Sequence, residues 1–181
     1  MKQILFLLMI SIAIVSCKNE NEFLIAKGQL GKITKATKVG ELDAIFRNDS
    51  LVSHLDKDNF ADSPYDEYLV YDKQSGHMLT IIPKTQNDTT STIESIQIFD
   101  KKYKTVTGLN IGSTFKDIID NYNINKVEST FTTAVLFVDE LDATITIDKK
   151  ELGIKDFGTQ KISKDQIPDL AKIKTFTLWF D

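Results

Sequence analysis

The sequence predicts an α+β fold: an antiparallel sheet with two or three short helices packed on one face. Two segments place their apolar residues at the spacing of an amphipathic helix, and several others have the short apolar or alternating runs of β-strands. The strand-like segments follow one another through polar turns rather than through helices. This order favours antiparallel pairing and a fold in which helices lie to one side of the sheet.

The two helical segments are defined by apolar residues about three and four positions apart. The first contains Val39, Leu42, Ile45 and Phe46, and the second contains Phe115, Ile118, Ile119 and Tyr122. Thr37 and Thr114 are the expected N-caps, since a threonine hydroxyl can accept a hydrogen bond from a free amide of the first turn. A third helical turn is expected to begin at Pro168.

Strands are predicted wherever β-branched and aromatic residues cluster between turn residues. The predicted strands cover 68–71, 78–82, 93–99, 134–138, 142–148 and 176–180, with a short strand within 23–33 and a further one at 103–107. The segment 72–76 is predicted to be a hairpin turn, and the polar segment 48–66 is predicted to be irregular.

The two helical segments also have similar surroundings. Val39-Gly40 precedes one apolar triplet and Ile111-Gly112 precedes the other, and both segments lead into strands. The hypothesis is that the domain contains two turn-helix-strand units, and a chance likeness of two amphipathic helices is the alternative.

The amino terminus has the pattern of an export signal. A positive charge at Lys2 is followed by an apolar run from Ile4 to Val15, which is too short to cross a bilayer as a helix. The run ends in Ile14-Val15-Ser16-Cys17, and Cys17 is the single cysteine of the chain. Because the chain has no second cysteine, Cys17 has no internal disulfide partner.

These four residues resemble the lipobox of bacterial lipoproteins. The resemblance implies a signal peptide at 1–16, a lipidated Cys17 with a tether at 17–24, and a single globular domain at 25–181. The polar tether Lys18-Asn19-Glu20-Asn21-Glu22 is similar to the segment that follows the cysteine in lipoproteins of Bacteroidota-type bacteria. The expected location is the cell envelope, as an outer-membrane lipoprotein that faces either the periplasm or the cell surface. The order of helix and hairpin resembles small envelope lipoproteins and β-lactamase-inhibitor-like modules.

Charge excludes one class of partner. The chain has 22 basic and 26 acidic side chains and a formal net charge of −4. A mildly acidic domain without an aromatic and basic surface has no electrostatic basis for binding nucleic acid. The expected partners are therefore the membrane, through the amino-terminal lipid, and an envelope protein.

One acidic segment has part of the pattern of a calcium loop. Asp56, Asp58, Asp62 and Glu67 stand at positions 1, 3, 7 and 12 of an EF-hand-like spacing. Phe60 and Ala61 occupy positions where an oxygen ligand and a glycine belong, so a solvated acidic loop is the competing interpretation. His54 and His77 have no neighbouring ligand residues and are predicted to be solvated surface side chains, and no cofactor is expected.

Two further patterns concern the surface. Ser50 and Thr89 each follow an aspartate in predicted loops, which resembles the O-glycosylation acceptor of Bacteroidota-type bacteria, although turn chemistry explains the same residues. The aromatic side chains of the predicted strands provide a hypothetical sugar-stacking surface, with strand packing as the alternative. They are Tyr65, Tyr68, Tyr71, Tyr103 and Trp179.

The favoured function is a non-catalytic binding, assembly or structural module on a lipid anchor. One alternative is a secreted inhibitor-like module that binds a partner protein. The other is a hydrolase that uses paired carboxylates from 56–67 or from Asp139 and Glu140, although acid–base catalysis needs two carboxyls in different environments. A deep pocket with a buried carboxylate would favour the hydrolase, and a broad apolar patch would favour the partner-binding module.

Overall fold

A computed structural model describes residues 22–54, 66–74, 76–154, 158 and 160–180 of the chain. Strands in these residues form two antiparallel sheets. The small sheet contains β1 (Ile25–Ala26), β2 (Gln29–Leu30) and β3 (Ile33–Thr34). The large sheet contains β4 (Ser50–His54), β5 (Glu67–Asp72), β6 (Gly76–Pro83), β7 (Ile93–Ile98), β8 (Lys126–Ser129), β9 (Thr133–Val138), β10 (Ala143–Asp148) and β11 (Ile173–Trp179).

The α+β prediction is wrong, because the described chain is mostly β. Its two α-helices are α1 (Leu42–Ile45) and α2 (Phe115–Ile119), of four and five residues. Three 3-10 turns add Val39–Glu41, Lys149–Leu152 and Lys164–Gln166. The apolar spacing correctly located the helical segments, but three or four apolar positions specify only one or two turns. The eleven strands, by contrast, account for the whole of both sheets.

The cap predictions had different outcomes. Thr114 is the N-cap of α2, and its hydroxyl and the Asp117 carboxylate form the reciprocal bonds of a capping box. Thr37 does not cap the first helical segment. Lys38 holds that position, and the Thr37 hydroxyl instead accepts a hydrogen bond from the Thr34 amide at 2.9 Å.

Strand predictions failed mainly at the edges of the large sheet. The segment predicted to be irregular contains β4, and the segment at 103–107 has no strand although it was predicted to have one. Edge strands have one paired side only, so a single inward apolar side chain such as Leu51 is enough to fix β4. The short strand predicted within 23–33 is three two-residue strands joined by tight turns.

The large sheet consists of two four-stranded meanders that share one topology. The strand order is β4-β5-β6-β7-β11-β10-β9-β8, so the last strands of the two halves pair in the middle. Each half begins with a short helical segment. The residue before each segment forms an isolated bridge to the residue before the last strand of its own half: Lys38 to Thr92, and Thr114 to Lys172.

Backbone hydrogen bonds show which residues of the two halves occupy equivalent positions. The Val39 amide donates to the Ser91 carbonyl at 2.9 Å, and the Phe115 amide donates to the Ala171 carbonyl at 2.8 Å. Val39 therefore corresponds to Phe115, and the sequence-based alignment of Val39 with Ile111 is wrong by four residues. The pairs Val39-Gly40 and Ile111-Gly112 therefore do not occupy equivalent positions in the two halves. The shared feature is a buried apolar residue in the same backbone position at the start of each helical segment.

Candidate functional site

The large sheet has two unlike faces, which follow from the alternation of side chains along each strand. On the inner face, one row crosses all eight strands with apolar residues. This row is Leu51, Val70, Leu79, Ile98, Phe176, Ile145, Leu136 and Val127. Its middle six members are completely buried, and the small sheet and the helical segments contribute to the same core.

The next row along the strands points to the opposite, outer face. It is Val52, Leu69, Thr80, Gln97, Thr177, Thr144, Phe137 and Lys126. None of these residues belongs to the hydrophobic core or packs against it. Six of the eight side chains are uncharged and are half-exposed or exposed, and they carry apolar, hydroxyl or amide groups. Lys126, at the edge of the sheet, is the one charged member of the row.

Three rings on the outer face form a stacked ladder. The His77 ring lies 5.0 Å from the Tyr71 ring and 4.2 Å from the Phe99 ring, with interplanar angles of 29° and 25°. His77 Nε2 also lies 3.1 Å from the Thr80 hydroxyl. Phe99 is 41% exposed, so the ladder ends in an accessible aromatic side chain. The prediction of a solvated histidine missed this arrangement, which depends on cross-strand neighbours.

Threonines and the single tryptophan occupy the other half of the outer face. Thr146 and Thr175 hydroxyls on β10 and β11 are 2.6 Å apart, and Trp179 Nε1 donates to the Thr144 hydroxyl at 3.1 Å. The first bond links the two strands through their side chains, and the second gives the indole nitrogen an acceptor on β10. The sequence signal was the alternation Thr-x-Thr on both strands, at positions opposite in parity to the buried residues.

Charged side chains at two margins of the outer face are paired with one another. Lys174 contacts Asp148 at 2.9 Å at one end. At the β8 edge, Lys126 is paired with Glu128, and its ammonium group lies 5.5 Å from the centre of the Phe137 ring. The face therefore combines an uncharged centre with a compensated rim, which is the usual anatomy of a protein interface.

A cleft of about 570 Å³ lies at the end of the outer face beside the β9–β10 turn. Trp179 and Phe137 form its apolar side, and Lys27 and Lys35 contact Asp142 at 2.8 and 3.4 Å on the other side. The hydrogen bond from Lys27 is the largest cause that lowers the pKa of Asp142, and the bond from Lys35 adds to it. Asp142 has a φ of +49°, a left-handed conformation that aspartate tolerates better than most residues.

The amino-terminal cavity, of about 720 Å³, lies between α1, the small sheet and the end of β5. It is bordered by Asp49 and Asp72 and has an apolar wall. Burial is the main cause that raises the pKa of Asp49, and the charges of Asp72 and Glu22 raise it further. Sequence reasoning did not bring these carboxylates together, because they lie in separate turns.

The carboxylates that the sequence did propose as a catalytic pair are exposed. Asp139 accepts a hydrogen bond from Asn125 Nδ2 at 2.7 Å, and Glu140 accepts one from the Asn123 amide at 3.1 Å. Both therefore serve to hold the loop before β8 against the β9–β10 turn. The two side chains share one kind of environment, so nothing here separates an acid from a base.

Of the four calcium candidates, Glu67 alone lies within the described residues, where it begins β5 opposite His54. Asp56, Asp58 and Asp62 lie outside them, as does the lipidation candidate Cys17. In the described part of the chain, no group of three or more histidine, cysteine, aspartate or glutamate side chains is arranged to hold a metal ion.

The glycosylation candidates are both exposed, Ser50 on the edge strand β4 and Thr89 in the loop before β7. The aromatic surface exists only in part. Tyr71 and Trp179 lie on the outer face, Tyr68 packs against the core and Tyr103 is buried, while Tyr65 is outside the described residues. Among the described helices, none has the length and apolar character needed to cross a bilayer.

The fold defines a class of mostly β proteins with one large antiparallel sheet, covered on one face within the described residues. No family model and no curated protein matches the chain. Among solved structures, the chain is similar to the uncharacterized protein yfeY from Escherichia coli, with 15% sequence identity and a TM-score of 0.56. The match covers 86% of this chain and 99% of that one. At this identity the similarity shows a shared fold alone.

Proposed function

We propose that this protein is a lipid-anchored envelope lipoprotein that binds a partner protein through the outer face of its large sheet. The observation that carries the proposal is the row of outward side chains that crosses all eight strands, which is uncharged except for Lys126 at the edge and has ion pairs at its margins. The proposed role is non-catalytic, and an inhibitor-like module that blocks a partner enzyme would use the same face.

The size of the outer face supports a protein partner. Eight strands about 4.8 Å apart, each with about three outward side chains, span on the order of 600 Å². A standard interface buries about 800 Å² on each partner, so the outer face is large enough to provide most of one side of such an interface. A small ligand would cover only a fraction of the face.

The composition of the face indicates the chemistry of the partner surface. Trp179, Phe99 and Phe137 provide aromatic anchors, and threonine hydroxyls surround them. Because the rim charges already compensate one another, a strongly charged partner would gain little by long-range attraction. The partner surface that fits is uncharged, with apolar side chains that contact the aromatic rings.

The test of the binding face is site-specific photocrosslinking in the intact bacterium. A photoreactive residue at Gln97 or Thr177 is expected to give one heteromeric adduct of defined mass. The double change Phe99→Ala and Trp179→Ala should reduce its yield at least tenfold, because both aromatic anchors are lost. The control is the double change Val106→Ala and Leu170→Ala, since these loop side chains are 86% and 77% exposed.

Equal adduct yields from a probe at Lys116, on α2, would contradict a specific role of the outer face. An adduct with twice the mass of the protein would also contradict it, since the occupant would then be a second copy. The lipid anchor has its own test. Cys17→Ser should abolish palmitate labelling and release the protein from the membrane, and persistent labelling would overturn the lipoprotein assignment.

A further inference from the structure

The amino-terminal cavity is separate from the outer face and combines an apolar wall with carboxylates. Its volume of about 720 Å³ lies within the usual range of small-molecule sites. Phe23 and Tyr103 pack edge to face in the wall, with ring centres 5.2 Å apart. The rest of the apolar wall consists of Leu30, Ile33, Ile45, Phe46 and Met78.

Most charged groups at the cavity already have partners. Glu22 contacts Lys32 at 3.2 Å, and Asp72 contacts Lys102 at 2.5 Å. The Asp49 carboxylate, in contrast, has no hydrogen bond or ion pair with any residue that the structure describes. Its raised pKa shows that burial and the charges of Asp72 and Glu22 outweigh the attraction of Lys102 and Lys32.

A second carboxylate nearby, that of Asp100, is buried, and its Oδ1 atom accepts a hydrogen bond from the Lys102 amide at 2.9 Å. Asp100 is 9% exposed, and its Oδ2 atom has no hydrogen-bond partner within the described residues. This atom lies 3.8 Å from the Lys102 ammonium, which bonds Asp72 instead. Lys102 is thus shared between the Asp72 and Asp100 carboxylates.

We infer that the amino-terminal cavity binds an organic cation with an apolar tail, whose ammonium or guanidinium group bonds Asp49 and whose tail lies against the apolar wall. A metal ion does not fit, since the described carboxylates form no metal-ligating group. The tail accounts for the apolar wall, which a free inorganic cation would not use. This site is independent of the outer-face proposal.

The opposite ligand charge is a real competitor, because Arg47 also borders the cavity. Arg47 is exposed, is the only arginine of the chain and has no ion pair within the described residues. An amphipathic anion would use Arg47 and would be repelled by Asp49. Probes of equal length and opposite charge therefore discriminate the two ligand classes.

The experiment is calorimetric titration of the purified protein with n-octylammonium, with amide chemical shifts to locate the contact. The expected result is saturable binding with shifts at Phe23, Ile45 and Tyr103, and octanoate should not saturate over the same range. Asp49→Asn should weaken octylammonium binding at least tenfold. Asp139→Asn, an exposed carboxylate on the far turn, should leave it unchanged.

Four results would overturn the inference. They are no saturable binding of octylammonium, equal binding of octanoate, equal loss in Asp139→Asn, or full affinity in Asp49→Asn. None of them bears on the crosslinking result at Gln97 and Thr177, so failure of this inference and failure of the proposed function are separate outcomes.

Discussion

The two faces of the large sheet differ although they are built from the same strands. On β11, Phe176 points inward and is completely buried, whereas its neighbour Thr177 points outward and is half-exposed. A shift of one residue thus separates a row that forms the core from a row that the described residues leave uncovered. The comparison teaches that residues of opposite parity on one strand can meet entirely different environments.

The largest expected effect is at the inner row. Phe176→Ala should lower the free energy of unfolding by about 3–5 kcal/mol, because it removes a buried ring and leaves a cavity between β7 and β10. Urea unfolding measures the loss, and Thr177→Ala is the matched control on the same strand. We expect Thr177→Ala to cost less than about 1 kcal/mol. Equal losses would remove the distinction between the faces.

An intermediate effect is expected where the outer face has a specific bond. Thr144→Val removes the acceptor of the Trp179 indole and should cost about 0.5–1.5 kcal/mol. Because Trp179 is the only tryptophan, its fluorescence should change in the same variant. Thr146→Val, which lacks that contact, should leave the emission unchanged. A loss as large as that of Phe176→Ala would mean that the outer face belongs to the core.

The smallest effect concerns the rim. The Lys150 amide is the main cause that lowers the pKa of Asp148, and the Lys174 ammonium adds to it. The stabilisation is present above the ordinary aspartate pKa of 3.8 and is lost as the pH falls through the lowered value. Lys174→Met should raise the pKa of Asp148 only part of the way to 3.8, because the amide bond remains.

Carboxyl NMR titration of Asp148 checks this result. At neutral pH the unfolding free energy should change by less than about 0.5 kcal/mol, since the pair is solvent-exposed. A pKa of 3.8 or above in the variant would show that Lys174, and not the Lys150 amide, sets the value. A large loss of stability would show that the rim is part of the folded core.

Local patterns predicted the strands whose alternation is complete. The alternation of Ala143, Ile145 and Ile147 with threonines was recognised, and β10 has that pattern of burial. The same reasoning overestimated the helices, because the spacing of Phe115 and Ile118 does not specify where a helix ends. It missed β8 and β4, since edge strands need few apolar residues and are fixed by their neighbours.

The candidate site was harder to predict than the strands. Tyr71 and Trp179 were noted as aromatic, but Tyr68 and Tyr103 were placed in the same set although the structure packs both inward. Tyr68 and Tyr71 are three positions apart on β5 and therefore lie on opposite faces of the sheet, which their aromatic character alone does not show. The ladder through His77 and Phe99 also depends on a bulge in β6, which shifts the parity between Leu79 and His77.

By itself, the sequence determined which residues of a strand share one face of the sheet and where the two helical segments lie. It also led to the expectation of a lipidated amino terminus. Only the tertiary structure decided that β7 pairs with β11, which joins the two meanders into one sheet. This pairing links residues about eighty positions apart in the chain, and no local propensity encodes it. The tertiary structure also places the small sheet and the helical segments over the apolar face of the large sheet, and the other face stays uncovered among the described residues.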